Sequence, residues 1–346
     1  MSKASGSIKL NVGSKHNNLP INQNATYING QPATPELYEA LLEGNIFSFS
    51  WEGEYPAPSL LAHNKKLMNA NLPNAKFVST ECFYQCENLL SVHASSAAQV
   101  QHAAFSECLS LNDVTLTSAT YIGENAFERC LCLKSISLPN VTYASKDAFF
   151  ECSSLVNVNL PLVKIIEKRA FENCRSLITL NLPAVAIIGC NAFTKAVCLE
   201  NINIPNAKSI NENAFGYCKS LRNIDLPQVT LTEADSAIFG ECYNLEKVRL
   251  SATQFIPDWT FRHCCSLKQL ILESPNVVQI AYNNQAFSHC CHILGTTESH
   301  DGVTYNVNAK VDGFIYVPDN MVNSYKTSPY WAKFANQIKG TSALEN

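Results

Sequence analysis

The sequence predicts an α/β repeat protein whose coils stack into a solenoid capped at both ends. Three observations carry that expectation. Phe recurs at Phe83, Phe105, Phe127, Phe149, Phe171, Phe193 and Phe215, a strict step of 22 residues, and continues as Phe239, Phe261 and Phe287 with inserts of two and four. Three positions after each Phe stands Cys (Cys86, Cys108, Cys130, Cys152, Cys174, Cys218, Cys242, Cys264, Cys290), with Ala196 in the sixth copy, and three further on stands Leu or, once, Ile293. The stretch after that Leu alternates, as in Leu155-Val-Asn-Val-Asn-Leu160, which is the period of a half-buried strand. A unit this short cannot bury its apolar side alone, so successive copies must stack.

The elements follow in chain order. Residues 1–60 read as an N-terminal flank or cap with a short helix, for which Thr34 is the N-cap, Pro35 the first helical position and Gly44 the stop. Residues 61–294 read as a solenoid of about 11 coils, led by a degenerate copy at Leu61, Leu67, Ala70 and Leu72. In five coils Pro139, Pro161, Pro183, Pro205 and Pro227 end the strand, because proline cannot donate to a ladder. A second apolar pair follows, such as Val163 and Ile166 or Val185 and Ile188, and Ala-Phe-x-x-Cys closes the coil as a short helical or 3₁₀ segment. Residues 295–346 read as a polar bridge (295–312), a strand at 313–318 and two short helices, Asp319–Lys326 and Tyr330–Lys339, the second capped by Ser328. Solenoid ends expose core and require caps, and both flanks are assigned that task.

Composition sets limits. The 346 residues carry 25 Lys and Arg against 29 Asp and Glu, a net charge of -4, with 16% charged and 46% hydrophobic residues. That balance excludes a strongly basic nucleic-acid binder and an acidic disordered tail. No run of 18 apolar residues occurs, so no membrane insertion is expected. Residues 1–30 are polar and Asn-rich, without the apolar core of a secretory leader. A cytoplasmic or particle-associated location, a chain already processed and export by another route all remain open. A monomer is expected.

Fifteen cysteines read either as a disulfide scaffold or as small buried hydrophobes. Nine lie in one column, so their side chains point the same way rather than at each other, and Ala196 substitutes among them. Packing is the expectation. Cys82, Cys132, Cys190, Cys198, Cys265 and Cys291 lie off the column and receive no role. His263-Cys264-Cys265 and His289-Cys290-Cys291-His292 raise the question of zinc, which needs four converging ligands. His263 and His289 share the column of Gln85, Glu107, Arg129, Glu151 and Asn173, which reads as solvent-facing, so neither metal nor cofactor is expected. None of G-x-G-x-x-G, the P-loop, H-E-x-x-H or G-x-S-x-G is present, and no enzyme activity is expected.

Alternation also fixes the outward strand face. Its expected ligand-binding residues are Asn157, Asn159, Thr179, Asn181, Asn201, Asn203, Asn223, Asp225, Lys247 and Arg249, preceded by Asn69, Asn71, Ser91, His93, Asp113, Thr115, Ser135 and Ser137 and ended by Gln269 and Ile271. The middle of this face is neutral and amide-rich, and only Lys247, Arg249 and Lys268 gather positive charge. Amides and hydroxyls offer paired donors and acceptors without desolvating a full charge, which suits a protein or glycan partner better than phosphate. A second stripe, Phe77, Tyr121, Tyr143, Ile165, Ile187 and Phe255, reads as partly buried.

The phrase Ala-Phe-x-x-Cys-x-x-Leu-x-x-Val-x-Leu-Pro, over roughly residues 61–294, resembles the leucine-rich repeats of the BspA-like family, known from bacteria and protozoa. The closing wording, Tyr316-Val-Pro-Asp-Asn320 with Tyr325 and Trp331 beyond it, resembles the C-terminal end of bacterial members. The resemblance implies a right-handed leucine-rich-repeat solenoid with a parallel β-sheet on its concave side. It also implies surface-exposed proteins that attach to matrix proteins or to other cells. The function expected is a non-enzymatic recognition module binding a protein or glycan on the concave sheet. The alternative is a structural spacer or a phage-like particle component without its own ligand.

Overall fold

A computed structural model describes residues 48–344 apart from 52, 55, 57, 282–284, 295–298, 301–302 and 305–310, together with the backbone of short strands at 9–10, 26–28 and 31–32. The expected Thr34–Gly44 helix lies outside the described residues, as does most of the 295–312 bridge. The chain divides into two compact units, Met1–Val163 and Lys164–Asn346. Both are built from the same coil.

Each coil opens with a three- or four-residue strand that pairs parallel with its equivalents. In the first unit Asn69–Asn71, Ser91–His93 and Asp113–Thr115 pair with Asn69 opposite Ser91 and Ser91 opposite Asp113. Ser135–Ser137 pairs likewise with Asn157–Asn159. In the second, Thr179–Asn181 pairs with Asn201–Asn203, and Asn223–Leu226, Lys247–Leu250 and Gln269–Leu272 form a ladder. Every register step is one whole repeat, so identical columns stack. A slip of one residue would turn Ile136 and Leu180, now 4% and 3% exposed, out to solvent.

A proline turn follows. Val141 N–H returns to Leu138 O and Val185 N–H to Leu182 O, 3.2 Å each, with Pro139 and Pro183 at the second turn position that a fixed φ favours. The chain then forms a two-residue strand, such as Ile187–Ile188, again paired parallel to its neighbours within the unit.

The Ala-Phe-x-x-Cys segment differs from the expected short helix or 3₁₀ stretch. It is a run of turns in which two residues per coil, and His289 alone in the coil of Phe287, adopt left-handed backbone, as at Glu81 (φ 54°) and Gln85 (φ 56°) or Asn191 (φ 58°) and Lys195 (φ 62°). No glycine occupies these positions. The turns free alternate N–H groups for the following coil: Glu81, Phe83 and Gln85 donate to His102 O, Ala104 O and Ser106 O at 2.9 Å. The intervening Cys82, Tyr84 and Cys86 donate three residues back instead. The same alternation recurs at Asn191, Phe193 and Lys195, which donate to Glu212 O, Ala214 O and Gly216 O. A helix would direct all six bonds locally, whereas this arrangement ties coil to coil on a third side.

The core is a file of phenylalanines. Phe83, Phe105, Phe127 and Phe149 are fully buried in the first unit, with successive centroids 5.4, 5.1 and 5.3 Å apart. Phe171 to Phe287 continue the pattern in the second at 5.4–5.8 Å. Each near-parallel ring buries both faces on its neighbours, so no coil has a complete core of its own.

The ladders extend past the 61–294 window. Ser48–Trp51 pairs in register with Asn69–Asn71 and buries Phe49 and Trp51, so strand structure begins inside the 1–60 flank. In the second unit Phe314–Val317 pairs parallel with Gln269–Leu272. The Asp319–Lys326 segment forms a 3₁₀ turn, Asp319–Met321, and a helix, Val322–Thr327. The Tyr330–Lys339 helix is replaced by a 3₁₀ turn, Ala332–Phe334, and a strand, Ile338–Gly340. The cause is the open edge of Phe314–Val317, whose Ile315 N–H takes Gln337 O at 2.9 Å and whose residues pair with Ile338–Gly340.

Candidate binding surface

The outward strand face lies where alternation puts it. Asn157 and Asn159 in the first unit, and Thr179, Asn181, Asn201, Asn203, Asn223, Asp225 and Lys247 in the second, are all exposed. Arg249 is half-buried, and Ile271 at the end of the same file is buried. Ile271 stands opposite Tyr316 in the ladder, and Tyr316 is itself buried. The apolar face residue therefore marks where the open surface stops, which corrects its expected outward exposure.

In the middle of the face the two files behave differently, whereas at its start Ser91 Oγ of the first file donates to Asn69 Oδ1 at 2.8 Å. In the second file, neighbours one coil apart bond each other: Asn203 Nδ2 donates to Asn181 Oδ1 at 2.8 Å and Asn159 Nδ2 to Ser137 Oγ at 3.0 Å. In the first file, Asn157, Thr179, Asn201 and Asn223 have no side-chain hydrogen bond to other described residues. Their donors and acceptors are open to a ligand. A shallow depression of about 290 Å³ lies on the second unit, lined by Thr179, Leu180, Asn181, Asn201, Ile202 and Asn203. Ile202 and Leu180 form its apolar floor, 9% and 3% exposed, between rows of amides and a hydroxyl.

The expected positive cluster is largely neutralised. Arg249 pairs with Glu273 at 2.5 Å, and Ser251 Oγ donates to the other oxygen of that carboxylate at 2.6 Å. The hydrogen bond from Arg249 holds the Glu273 carboxyl below its usual range. Lys268 lies 3.9 Å from Asp312, which also binds His292 Nδ1 at 2.5 Å. Only Lys247 of the three makes no ion pair with a described residue. The sequence signal for Glu273 was the proline column, which at this end of the repeat holds Ser251 and Glu273. Asp312, beyond the repeat, carried no such signal.

The cysteine column has a polar role as well as an apolar one. Cys108, Cys130 and Cys152 donate Sγ–H to Phe83 O, Phe105 O and Phe127 O of the preceding coil at 3.0–3.2 Å. Cys242 and Cys264 do the same to Phe215 O and Phe239 O. Those carbonyls also accept the N–H three residues on, so both lone pairs are used. Ala was a fair guide to the volume of the site but not to its hydrogen bond. Burial pushes these thiols up, Cys86 to about 12, the reverse of what a nucleophilic thiolate needs.

The histidine pair also departs from expectation. His263 is buried, 2% exposed, and stacks on His289 with centroids 4.3 Å apart and planes within 7°. Its ring therefore serves packing rather than solvent contact. Among the described residues no three His, Cys, Asp or Glu side chains converge as a metal site would require. No helix among the described residues is long and apolar enough to cross a membrane.

On the second stripe, Phe77, Tyr143, Ile165 and Phe255 are half-buried. Tyr121 and Ile187 reach 40% exposure.

Parallel coils held on three sides, with a polar strand face, define a repeat-built solenoid protein. Residues 61–178 and 186–305 match the model of the BspA type leucine-rich repeat region, in six copies. The chain belongs to the BspA-type leucine-rich-repeat family, whose repeats generally mediate protein interactions or adhesion. A leucine-rich repeat protein from Bacteroides ovatus is similar in fold, with a TM-score of 0.54 at 18% identity over 85% of this chain and 87% of that one. A leucine-rich cell surface protein from Faecalibacterium prausnitzii gives 0.44 at 19% identity over 82% and 85%. No curated protein matches.

Proposed function

We propose that the chain is a recognition module that holds a protein or glycan partner on the strand face of Lys164–Asn346, as a surface-adhesion protein would. The observation that carries this reading is the first file: Thr179, Asn201 and Asn223 are exposed and have no partner within the described chain. They stand beside an amide-rimmed depression with an apolar floor. Neutral groups of this kind lose less on desolvation than charges do, and each can both donate and accept. The C-terminal segment completes the module as a lid: Trp331 and Phe334 pack on Phe287 at 6.1 and 5.4 Å.

The test is a glycan and matrix-protein array probed with the purified chain, Asn201→Glu and Asn223→Lys. Capture should fall by about 10-fold or more, equivalent to about 1.4 kcal/mol, with unchanged circular dichroism and Tm. Undiminished capture by both variants contradicts the reading. One observation favours a structural spacer instead: Asn181 and Asn203 bond each other along their file. A spacer would tolerate both substitutions and would show no specific capture.

A further inference from the structure

Two thiols outside the buried column stand apart from the other cysteines. Cys265 and Cys291 each follow a column cysteine directly, in successive coils. Their limbs are hydrogen-bonded neighbours, with Phe261 N–H on Ala286 O at 2.8 Å and His263 N–H on Ser288 O at 2.9 Å. That places the two backbones one ladder spacing apart, within the Cα range of about 4.4–6.8 Å that a disulfide spans. Column cysteines donate to separate carbonyls, one per coil. Cys265 and Cys291 instead donate to the same one: their sulfurs lie 3.6 and 3.7 Å from His289 O. Two side chains that meet at one oxygen converge. Cys265 is half-buried and reachable, whereas Cys291 is 6% exposed.

We propose that Cys265 and Cys291 are a redox-responsive dithiol, which a low-molecular-weight disulfide closes into a bridge between the last two coils of the repeat. The Cys265 thiolate attacks one sulfur of the small disulfide, forming a mixed disulfide and expelling one small thiolate. The Cys291 thiolate then attacks the Cys265 sulfur, which breaks the mixed bond and expels the second small thiolate. One protein S–S bond forms and one small-molecule S–S bond breaks. Two electrons pass from the protein to the small disulfide, and the two protein protons end on the released thiols.

Desolvation, and then the neighbouring Cys291, push the Cys265 thiol up to about 12. Its thiolate is scarce at neutral pH and closure accelerates as pH rises. The pair is thus a slow responder rather than a catalytic one. Its position matters because the chain leaves the repeat through Cys291–Leu294 and re-enters the sheet at Phe314–Val317. A bridge would fasten that exit to the coil before it.

The full chain is incubated with oxidised glutathione at mildly alkaline pH, alkylated under denaturing conditions and digested, and tandem mass spectrometry assigns each sulfur. The expected result is a cross-linked peptide joining Cys265 to Cys291, lighter by two hydrogens than the reduced pair, with a higher Tm for the oxidised chain. Cys291→Ser should instead accumulate glutathione on Cys265 without any cross-link. Separate alkylation or glutathione capping of both cysteines in the wild-type chain would overturn the proposal. A bridge mapped to Cys264 and Cys290 would overturn it equally.

Discussion

Lys195 illustrates how much of this fold is written in single backbone angles. It is exposed and sits at φ 62°, a conformation that costs an L-residue roughly 1–2 kcal/mol and glycine almost nothing. Its N–H reaches the next coil only because the chain bends there. Lys195→Gly is therefore expected to hold or raise the urea midpoint, and Lys195→Val to lower stability by about 1–2 kcal/mol, since a β-branched residue tolerates positive φ least. A midpoint lowered by glycine would mean that the lysine side chain, not the angle, matters. These positions could not be read from composition. Glu81, Gln85, Asn191 and Lys195 share no residue type that announces a left-handed turn. The exposed Asn and Thr residues could be read, because alternation in a strand depends only on period two. Ile271 obeys that period and is nonetheless buried, since Tyr316 comes from beyond the repeat. The Arg249–Glu273 pair escaped for the related reason that its partners lie 24 residues apart rather than one standard repeat.

At the scale of elements, the coil's strand, proline turn and second strand were legible because hydrophobic spacing and proline act locally. The return limb and the C-terminal strand were not, because their conformation is set by a neighbour's open hydrogen-bonding edge. Ile338–Gly340 looks helical in isolation and pairs as a strand in place. The aromatic cluster beside it makes its own prediction. Trp331 is fully buried, donates Nε1–H to Val278 O at 2.6 Å and covers the last ring of the phenylalanine file. Trp331→Ala should cost about 3–5 kcal/mol. The loss should be local first: hydrogen exchange should quicken across Gln269–Leu272 and Phe314–Val317 before Thr179–Asn181. Uniform acceleration across the second unit would show that its coils open together rather than from the end.

For the whole molecule, the period itself is the testable quantity. The register of each ladder steps by one whole coil, so removing residues 187–208 joins Ala186 to Ser209 with every column intact. That variant should fold, and its urea m-value should fall by about 6%, the share of 22 residues in 346. Removing residues 187–197 shifts Phe, Cys and Leu off their columns and should abolish cooperative unfolding. Equal behaviour of the two deletions would mean that the coils do not depend on alignment.

The return limbs carry one further consequence. Within each unit every inter-coil bond there runs the same way, N–H of the earlier coil to C=O of the later, from Ser59 to Thr80 and from Arg169 to Cys190 onward. Peptide dipoles aligned in this manner add rather than cancel. The return limbs of each unit thus carry a weak permanent polarity along the stacking direction, positive toward the C-terminal coil and opposite in sense to that of an α-helix. It is confined to that side because Gly123, Gly189 and Asn211 donate the other way, to Val100 O, Ile166 O and Ile188 O.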